Sequence, residues 1–451
     1  MSFPKYPAYK DSGVEWIGEI PVGWEYCRLR FVAQFNPSKT EISYIPLNEE
    51  VSFLPMEAIG DDGTINLGQK RKISDVQNGY TYFRDMDVIF AKITPCFENG
   101  KGALAQGLLR GIGFGTTELI VARSAPSRVI PEYLLRFFQS DIFRKPAEAS
   151  MYGAGGQKRV SESFVRDFSI PLPPLPEQQA IASFLDRECG KIDALIAEQE
   201  RLIALLAEKR QAVISHAVTK GLNPNVPMKD SGIPWIGMVP EGWEVVKLKR
   251  VGKLKGGYAF STDLFVESGI PVVRMSNLKR GEIDFSDSVF INSGDLVPSA
   301  SLSEGDLIWG MSGSIGVTGS LGNYARVKQN DIPCQLNQRV GCFSLSKLNN
   351  DFMECIVQAD FFCDQIILSC TGTAQFNVSS SQVEDCYIVV PPMEDQKHIS
   401  NFLKAYFQKQ STLYATSEQS ITLLRERRAT LISAAVTGKI DVRAQSKAFA
   451  A

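Results

Sequence analysis

The stretch Lys10-Asp11-Ser12-Gly13-Val14-Glu15-Trp16-Ile17-Gly18 decides how the chain is organised, because it returns as Lys229-Asp230-Ser231-Gly232-Ile233-Pro234-Trp235-Ile236-Gly237. Ile20-Pro21-Val22-Gly23-Trp24-Glu25 returns in the same way as Val239-Pro240-Glu241-Gly242-Trp243-Glu244. From Trp16 to Trp235 the offset is 219 residues, and it still holds where Asp87-Val88-Ile89-Phe90 matches Asp306-Leu307-Ile308-Trp309. One residue is then lost. At an offset of 218, Gln157 matches Gln375, Pro173-Pro174 matches Pro391-Pro392, and Ala217-Val218-Thr219 matches Ala435-Val436-Thr437. Solenoid units repeat every ~20–50 residues, so this period marks a duplicated domain. The frame repeats while inner stretches diverge, as Lys92-Ile93-Thr94-Pro95 does from Met311-Ser312-Gly313-Ser314. Two similar scaffolds with different surfaces imply two related but non-identical binding tasks.

Each copy has two sections. The first, residues 1–174 and again 222–392, is rich in glycine and in short alternating runs. Val51–Leu54, Asp87–Phe90, Glu118–Val121, Val272–Met275, Asp306–Trp309 and Arg339–Phe343 read as strands. One helix per copy is expected after them, from Pro131 with proline and glutamate in its first turn and from near Asp351. Gly111-Ile112-Gly113-Phe114-Gly115 is close in composition to a dinucleotide fingerprint but reads better as a glycine-rich turn before a strand.

The second section is helical. Pro176-Glu177-Gln178-Gln179 opens a helix, and Ile181, Leu185, Glu188, Ile192, Leu195, Gln199, Leu202, Leu206, Lys209 and Val213 follow at alternating steps of four and three, a coiled-coil seam. A central spacer helix is therefore expected over 175–221 and a distal one over 393–440, with a flexible tail at 441–451. Some 40 residues make a rod of about 60 Å, whose stripe must be buried on something, most simply on its own repeat. The fold class is α+β: a pseudo-twofold tandem repeat of two similar domains joined by two long helices.

Composition excludes more than it assigns. The 451 residues carry 48 Lys plus Arg against 50 Asp plus Glu, so phosphate binding would rest on a local basic face. No run approaches the ~20 apolar residues of a membrane span, and the first residues lack a secretory pattern, so a soluble cytoplasmic chain is expected. Two histidines, His216 and His398, in helical polar stretches, argue against a histidine-rich metal site. The nine cysteines form no C-x-x-C pair and are expected as reduced thiols, several buried. There is no phosphate loop, dinucleotide fingerprint, nucleophile elbow or Asn/Asp-Pro-Pro-aromatic tetrapeptide. No catalytic, cofactor or metal residue is assigned, and an enzyme is not expected.

The Lys-Asp-Ser-Gly-x-x-Trp-Ile-Gly block with Pro-x-Gly-Trp-Glu, the run Pro173-Pro174-Leu175-Pro176-Glu177-Gln178-Gln179-Ala180-Ile181, and the helix ending Ser215-His216-Ala217-Val218-Thr219-Lys220-Gly221 occur in order, twice. In this the chain resembles the specificity subunit of type I restriction–modification systems over nearly its whole length. The resemblance implies that 1–174 and 222–392 are target-recognition domains, each reading half of a split site on double-stranded DNA, with antiparallel spacer helices setting the gap. It implies two methyltransferase subunits that use S-adenosylmethionine to methylate adenine N6. Restriction subunits, where present, would work with ATP and Mg. None of those cofactors would belong to this chain. Half-sites read from one face lie about one helical turn apart, ~34 Å. Two other readings remain open: a subunit serving modification only, and a coiled-coil scaffold joining two domains that bind other ligands.

The DNA-contacting candidates come from chemistry and place. Gly153-Ala154-Gly155-Gly156-Gln157-Lys158-Arg159 joins glycines to an amide that can read adenine and to two cations that can take guanine or phosphate. A solvated turn explains it about as well. Its counterpart, Gly372-Thr373-Ala374-Gln375-Phe376-Asn377, keeps Gln375 and loses the charge, leaving Gln375 and Asn377 as candidates. Lys92, Thr94, Asn99 and Lys101 fall in a loop between strands. Arg274, Ser276, Asn277, Lys279 and Arg280 follow one strand of the second copy, and Ser312 and Ser314 another. For each of these, ordinary surface polarity is the competing explanation. Trp16, Trp24, Trp235 and Trp243 recur by repeat and are read as packing residues, and Glu198, Arg201, Glu208 and Arg210 as the outer face of the central helix.

Overall fold

The computed structural model describes residues 3–14, 17–154, 156–315, 319–371 and 375–444. It divides into two compact units, residues 1–200 with 417–451, and residues 201–416. The division cuts both long helices, Leu175–Lys220 and Met393–Val436, in mid-length.

In the first unit a four-stranded antiparallel sheet runs in the order Ala33–Phe35, Leu119–Ser124, Asp87–Ala91, Gly102–Leu104. A second, mixed sheet runs Lys70–Lys72, Glu50–Leu54, Ile112–Gly115, Thr81–Arg84. The supposed turn at 111–115 is thus an inner strand of that sheet. Its glycines are needed there because a Cβ on Gly113 would stand 2.2 Å from the Phe83 ring. The helix Pro131–Gln139 forms as expected, and a second, Asp141–Ala149, follows it directly. The single residue Ser140 between them turns the chain, so two amphipathic stretches read as one in the sequence.

The second unit repeats this plan. Its antiparallel sheet runs Gly252–Gly256, Val340–Leu345, Leu307–Gly310, Tyr324–Arg326, and its mixed sheet Val289–Ile291, Ile270–Val273, Gln335–Leu336. Again two helices stand where one was expected, Asn350–Ile356 and Asp360–Ser369.

The repeated Asp-Ser-Gly block is a turn of one chemistry. The carboxylates of Asp11 and Asp230 accept from the N–H groups of Gly13 and Gly232 at 2.9 and 3.0 Å, and both glycines have positive φ, +70° and +72°. A residue with a Cβ would be strained there. Trp24 and Trp243 are buried as expected, and each indole N–H donates to an acid in the first turn of a long helix, Glu177 at 3.1 Å and Asp395 at 3.0 Å. Trp235 is half exposed instead, and Trp16 lies outside the described residues.

Each unit's core takes the start of one long helix and the end of the other. In the first, Ile181, Phe184 and Leu185 pack with Ile432, Ala435 and Val436. In the second, Ile399 and Leu403 pack with Ile214, Ala217 and Val218. That arrangement makes the helix segments antiparallel within each unit. The middle of the expected seam is not buried: Leu195 in the first unit, and Leu202 and Leu413 in the second, are exposed. Polar groups take the inner positions, with buried Gln410 donating to the Leu206 carbonyl at 2.8 Å. Arg210, expected on the outer face, lies over the Phe407 ring at 3.9 Å and donates to Gln358. The stretch 441–444, expected to open a flexible tail, is docked in the first unit. Val442 is fully buried, and the Asp441 N–H donates to the Pro4 carbonyl at 2.7 Å.

Candidate nucleic-acid interface

In the first unit the fold joins two of the candidate stretches. Ile93 and Tyr152 each form a β-bridge with Arg159. Thr94 Oγ1 donates to the Gly156 carbonyl at 2.7 Å and accepts from the Lys158 N–H at 3.0 Å. Val160 N–H donates to the Lys92 carbonyl at 2.9 Å. Lys92, Thr94, Gln157, Lys158 and Arg159 therefore share one edge. Gln157 and Lys158 are exposed at its tip.

The second unit joins the equivalent stretches. Ser312–Gly313 pairs with Phe376–Asn377, and Thr371 bridges Asn377. Ser314 and Gln375 are exposed beside this pair, while the Ser312 side chain is buried. Gly155 and 372–374 lie outside the described residues. The pairing is conserved between the units, and its residues are not, from Lys158 to Phe376 and from Arg159 to Asn377.

Several candidates are committed inside the protein. Arg159 forks onto Glu118 through two hydrogen bonds of 2.9 and 2.8 Å, and these hold the Glu118 carboxyl below its ordinary range. Lys101 Nζ donates to the Met56 carbonyl at 2.9 Å. Arg274 donates to the Asp287 carbonyl at 2.7 Å, closing its own loop. Asn277 is fully buried: its Oδ1 accepts from the Arg274 N–H at 2.8 Å and its amide donates to Asp284 O and Ser288 Oγ. An Asn in a donor-rich loop looks like a reader in sequence, but burial and saturated hydrogen bonding make it a brace. Asn99, Ser276, Lys279 and Arg280 are exposed and outside the paired strands of the two edges. Asn99 stands one turn beyond Thr94, its N–H donating to the Pro95 carbonyl at 2.9 Å, and Arg280 precedes Gly281, whose N–H donates to the Tyr324 carbonyl at 2.9 Å.

Tyr152 was not singled out by the sequence, although an aromatic directly before a glycine run is visible there. It is 65% exposed, and its N–H and carbonyl bond Arg159 in both directions at 3.2 and 2.8 Å, so the ring is presented from fixed backbone beside Lys158.

At the other end of the Asp87–Ala91 strand, away from the edge, lies an ion cluster in which Arg123 and Asp87 are buried. Arg123 forks onto Asp87 at 2.6 and 2.7 Å and reaches Glu41 at 2.6 Å. The guanidinium's hydrogen bond is the main cause that lowers the Glu41 pKa. The cluster fixes the sheet from which the 92–101 loop departs. Neither histidine is buried, and the cysteines are free; burial pushes Cys334, Cys342, Cys355 and Cys386 up to about 12, which suits inert packing thiols. Among the described residues no cluster of three or more His, Cys, Asp or Glu is placed to hold a metal, and no helix is long and apolar enough to cross a membrane.

Two repeated mixed domains, each with a variable paired edge and each clasped by two long helix segments, define a class of two-headed recognition protein. The family model for the type I restriction modification DNA specificity domain matches residues 21–203 and 240–423, and the chain belongs to that family. It is 29% identical over 462 residues to the type I restriction enzyme EcoAI specificity subunit of Escherichia coli, covering 84% of this chain and 77% of that one. It is 39% identical over 194 residues to the EcoEI specificity subunit of Escherichia coli, covering 43% and 32%. The fold is also similar to a chain from a solved type I restriction–modification assembly, with a TM-score of 0.72 at 16% identity, covering 92% of this chain and 98% of that one.

Proposed function

We propose that this chain is the specificity subunit of a type I restriction–modification complex, reading a bipartite, asymmetric duplex site with one edge per unit. The observation that carries this reading is the recurrence of the paired edge at the same place in both units with different side chains. Equivalent placement suits two half-sites, and different chemistry suits two different sequences. Lys92 and Lys158 supply charge for phosphate at the first edge, and Gln157 an amide for a base edge.

The chain itself is non-catalytic in this reading and works in the cytoplasm. Two methyltransferase subunits bring S-adenosylmethionine and modify adenine N6, and restriction subunits bring ATP and Mg. The leucines left exposed in mid-helix give such subunits apolar surface to cover: Leu195 and Leu423 in the first unit, Leu202, Leu205 and Leu413 in the second.

The test is a competition titration of the chain assembled with the subunits encoded beside it. A duplex carrying the split site should outcompete the same duplex with either half scrambled. Equal competition by all three contradicts the reading.

A further inference from the structure

The two edges differ in charge far beyond the loops themselves. Residues 348–396, which include the second edge's 371–377 stretch, hold no Lys or Arg and eight acids. The equivalent residues 129–178 of the first unit hold six cations: Arg136, Arg144, Lys145, Lys158, Arg159 and Arg166. The stretch 311–325, the other contributor to the second edge, has no cation either. A phosphate-gripping loop cannot be built from this material.

What flanks the second edge instead is aliphatic. Leu368 is 84% exposed, in the last turn of the helix Asp360–Ser369 and three residues before Thr371. Ile367 beside it and Ile315, next to Ser314, are exposed as well. Their counterparts in the first unit, set by the matching helix starts Asp141 and Asp360, are Ala149, Glu148 and Cys96, all smaller or more polar. The aliphatic groups thus come from both strands' flanks of one short pair, and only in the unit whose edge lacks charge. The backbone there is held: the Gln382 side chain binds the Ser369 carbonyl, and the Thr371 N–H donates to the Asn377 carbonyl at 3.1 Å.

Resting on the DNA-reading function above, we propose that Leu368, with Ile367, is a specificity-determining contact that reads thymine methyl groups in the half-site of the second unit. The 5-methyl of thymine is the one apolar feature in the major groove, and an aliphatic side chain on fixed backbone discriminates for it without charge. The first unit, with Lys92, Lys158 and Tyr152 at its edge, uses the opposite balance.

The experiment replaces each thymine of the methylated site by deoxyuridine, one at a time, and measures binding by the complete methyltransferase complex. Removing one buried methyl group should weaken binding about three- to five-fold at one or more positions, all in one half-site. Leu368→Ala and Ile367→Ala should fold and assemble normally, bind the thymine duplex more weakly, and lose the thymine preference at those positions while keeping the wild-type profile in the other half. A wild-type complex indifferent to deoxyuridine overturns the proposal and leaves the DNA reading standing. So does a Leu368→Ala complex that keeps its full thymine preference. A variant that no longer assembles also overturns it, by assigning the patch to a subunit contact. Absence of any site-specific binding by the wild-type complex removes the DNA reading itself.

Discussion

Gln157 and Lys158 reach solvent from a loop whose backbone is tied to Thr94 on one side and Tyr152–Arg159 on the other, so they can be truncated without disturbing what holds them. Lys158→Ala should reduce the salt slope of duplex binding by about one. Gln157→Ala should cost one bidentate base contact, roughly five- to a hundred-fold in preference for the correct base. Both variants should melt at the wild-type temperature. Unchanged binding in both would take this loop off the DNA. Arg159 belongs to a different experiment. The lowered pKa values of Glu118 and Glu41 mean that their ion pairs stabilise the fold at and above the ordinary carboxylate pKa of ~4.3 and are lost as pH falls through the folded values. The melting temperature should therefore drop on acidification below about pH 4, and Glu118→Gln should flatten that drop; an identical pH profile for the variant contradicts the assignment. The sequence showed Arg159 as a free cation because its partner stands 41 residues away, in the turn before the strand Leu119–Ser124, which only the fold brings beside it. Asn277 misled for a similar reason: polarity is visible in a sequence, but the acceptors that bury it are not.

The long helices are held by residues their opening motif already displays. Gln178 and Gln396 occupy the same repeat position, are buried, and each makes three hydrogen bonds to backbone. Gln178 accepts from Ile130 N–H and donates to the Arg128 and Pro173 carbonyls. Gln396 accepts from Asn349 N–H and donates to the Lys347 and Pro391 carbonyls. Each ties the first turn of a helix to the domain it leaves. Gln178→Ala or Gln396→Ala strands buried backbone groups and should cost about 1–3 kcal/mol in chemical denaturation. A loss under ~0.5 kcal/mol in both would show that the ties are dispensable. At this scale the sequence was most legible, because helix starts, strand runs and helix stops are local signals. The mid-helix seam was not. A regular apolar spacing specifies a stripe, but whether the partner helix covers it depends on where Gln410 and Ser417 place the inner face.

Across the whole molecule, duplication is the organising fact, and it was readable from two tryptophan-bearing blocks alone. The side chains that distinguish the two edges were only partly readable, since divergent loops carry no repeated pattern to anchor them. A protein with two unlike edges on like domains should specify a target of two unlike blocks. The most direct measurement is genome-wide mapping of N6-methyladenine in the source organism with and without this gene. Loss of one motif, two short and different blocks flanking a fixed gap, is the expected result. An unchanged methylation map in cells that make the complete complex, or loss of a single continuous motif, would contradict two-headed reading of a split site.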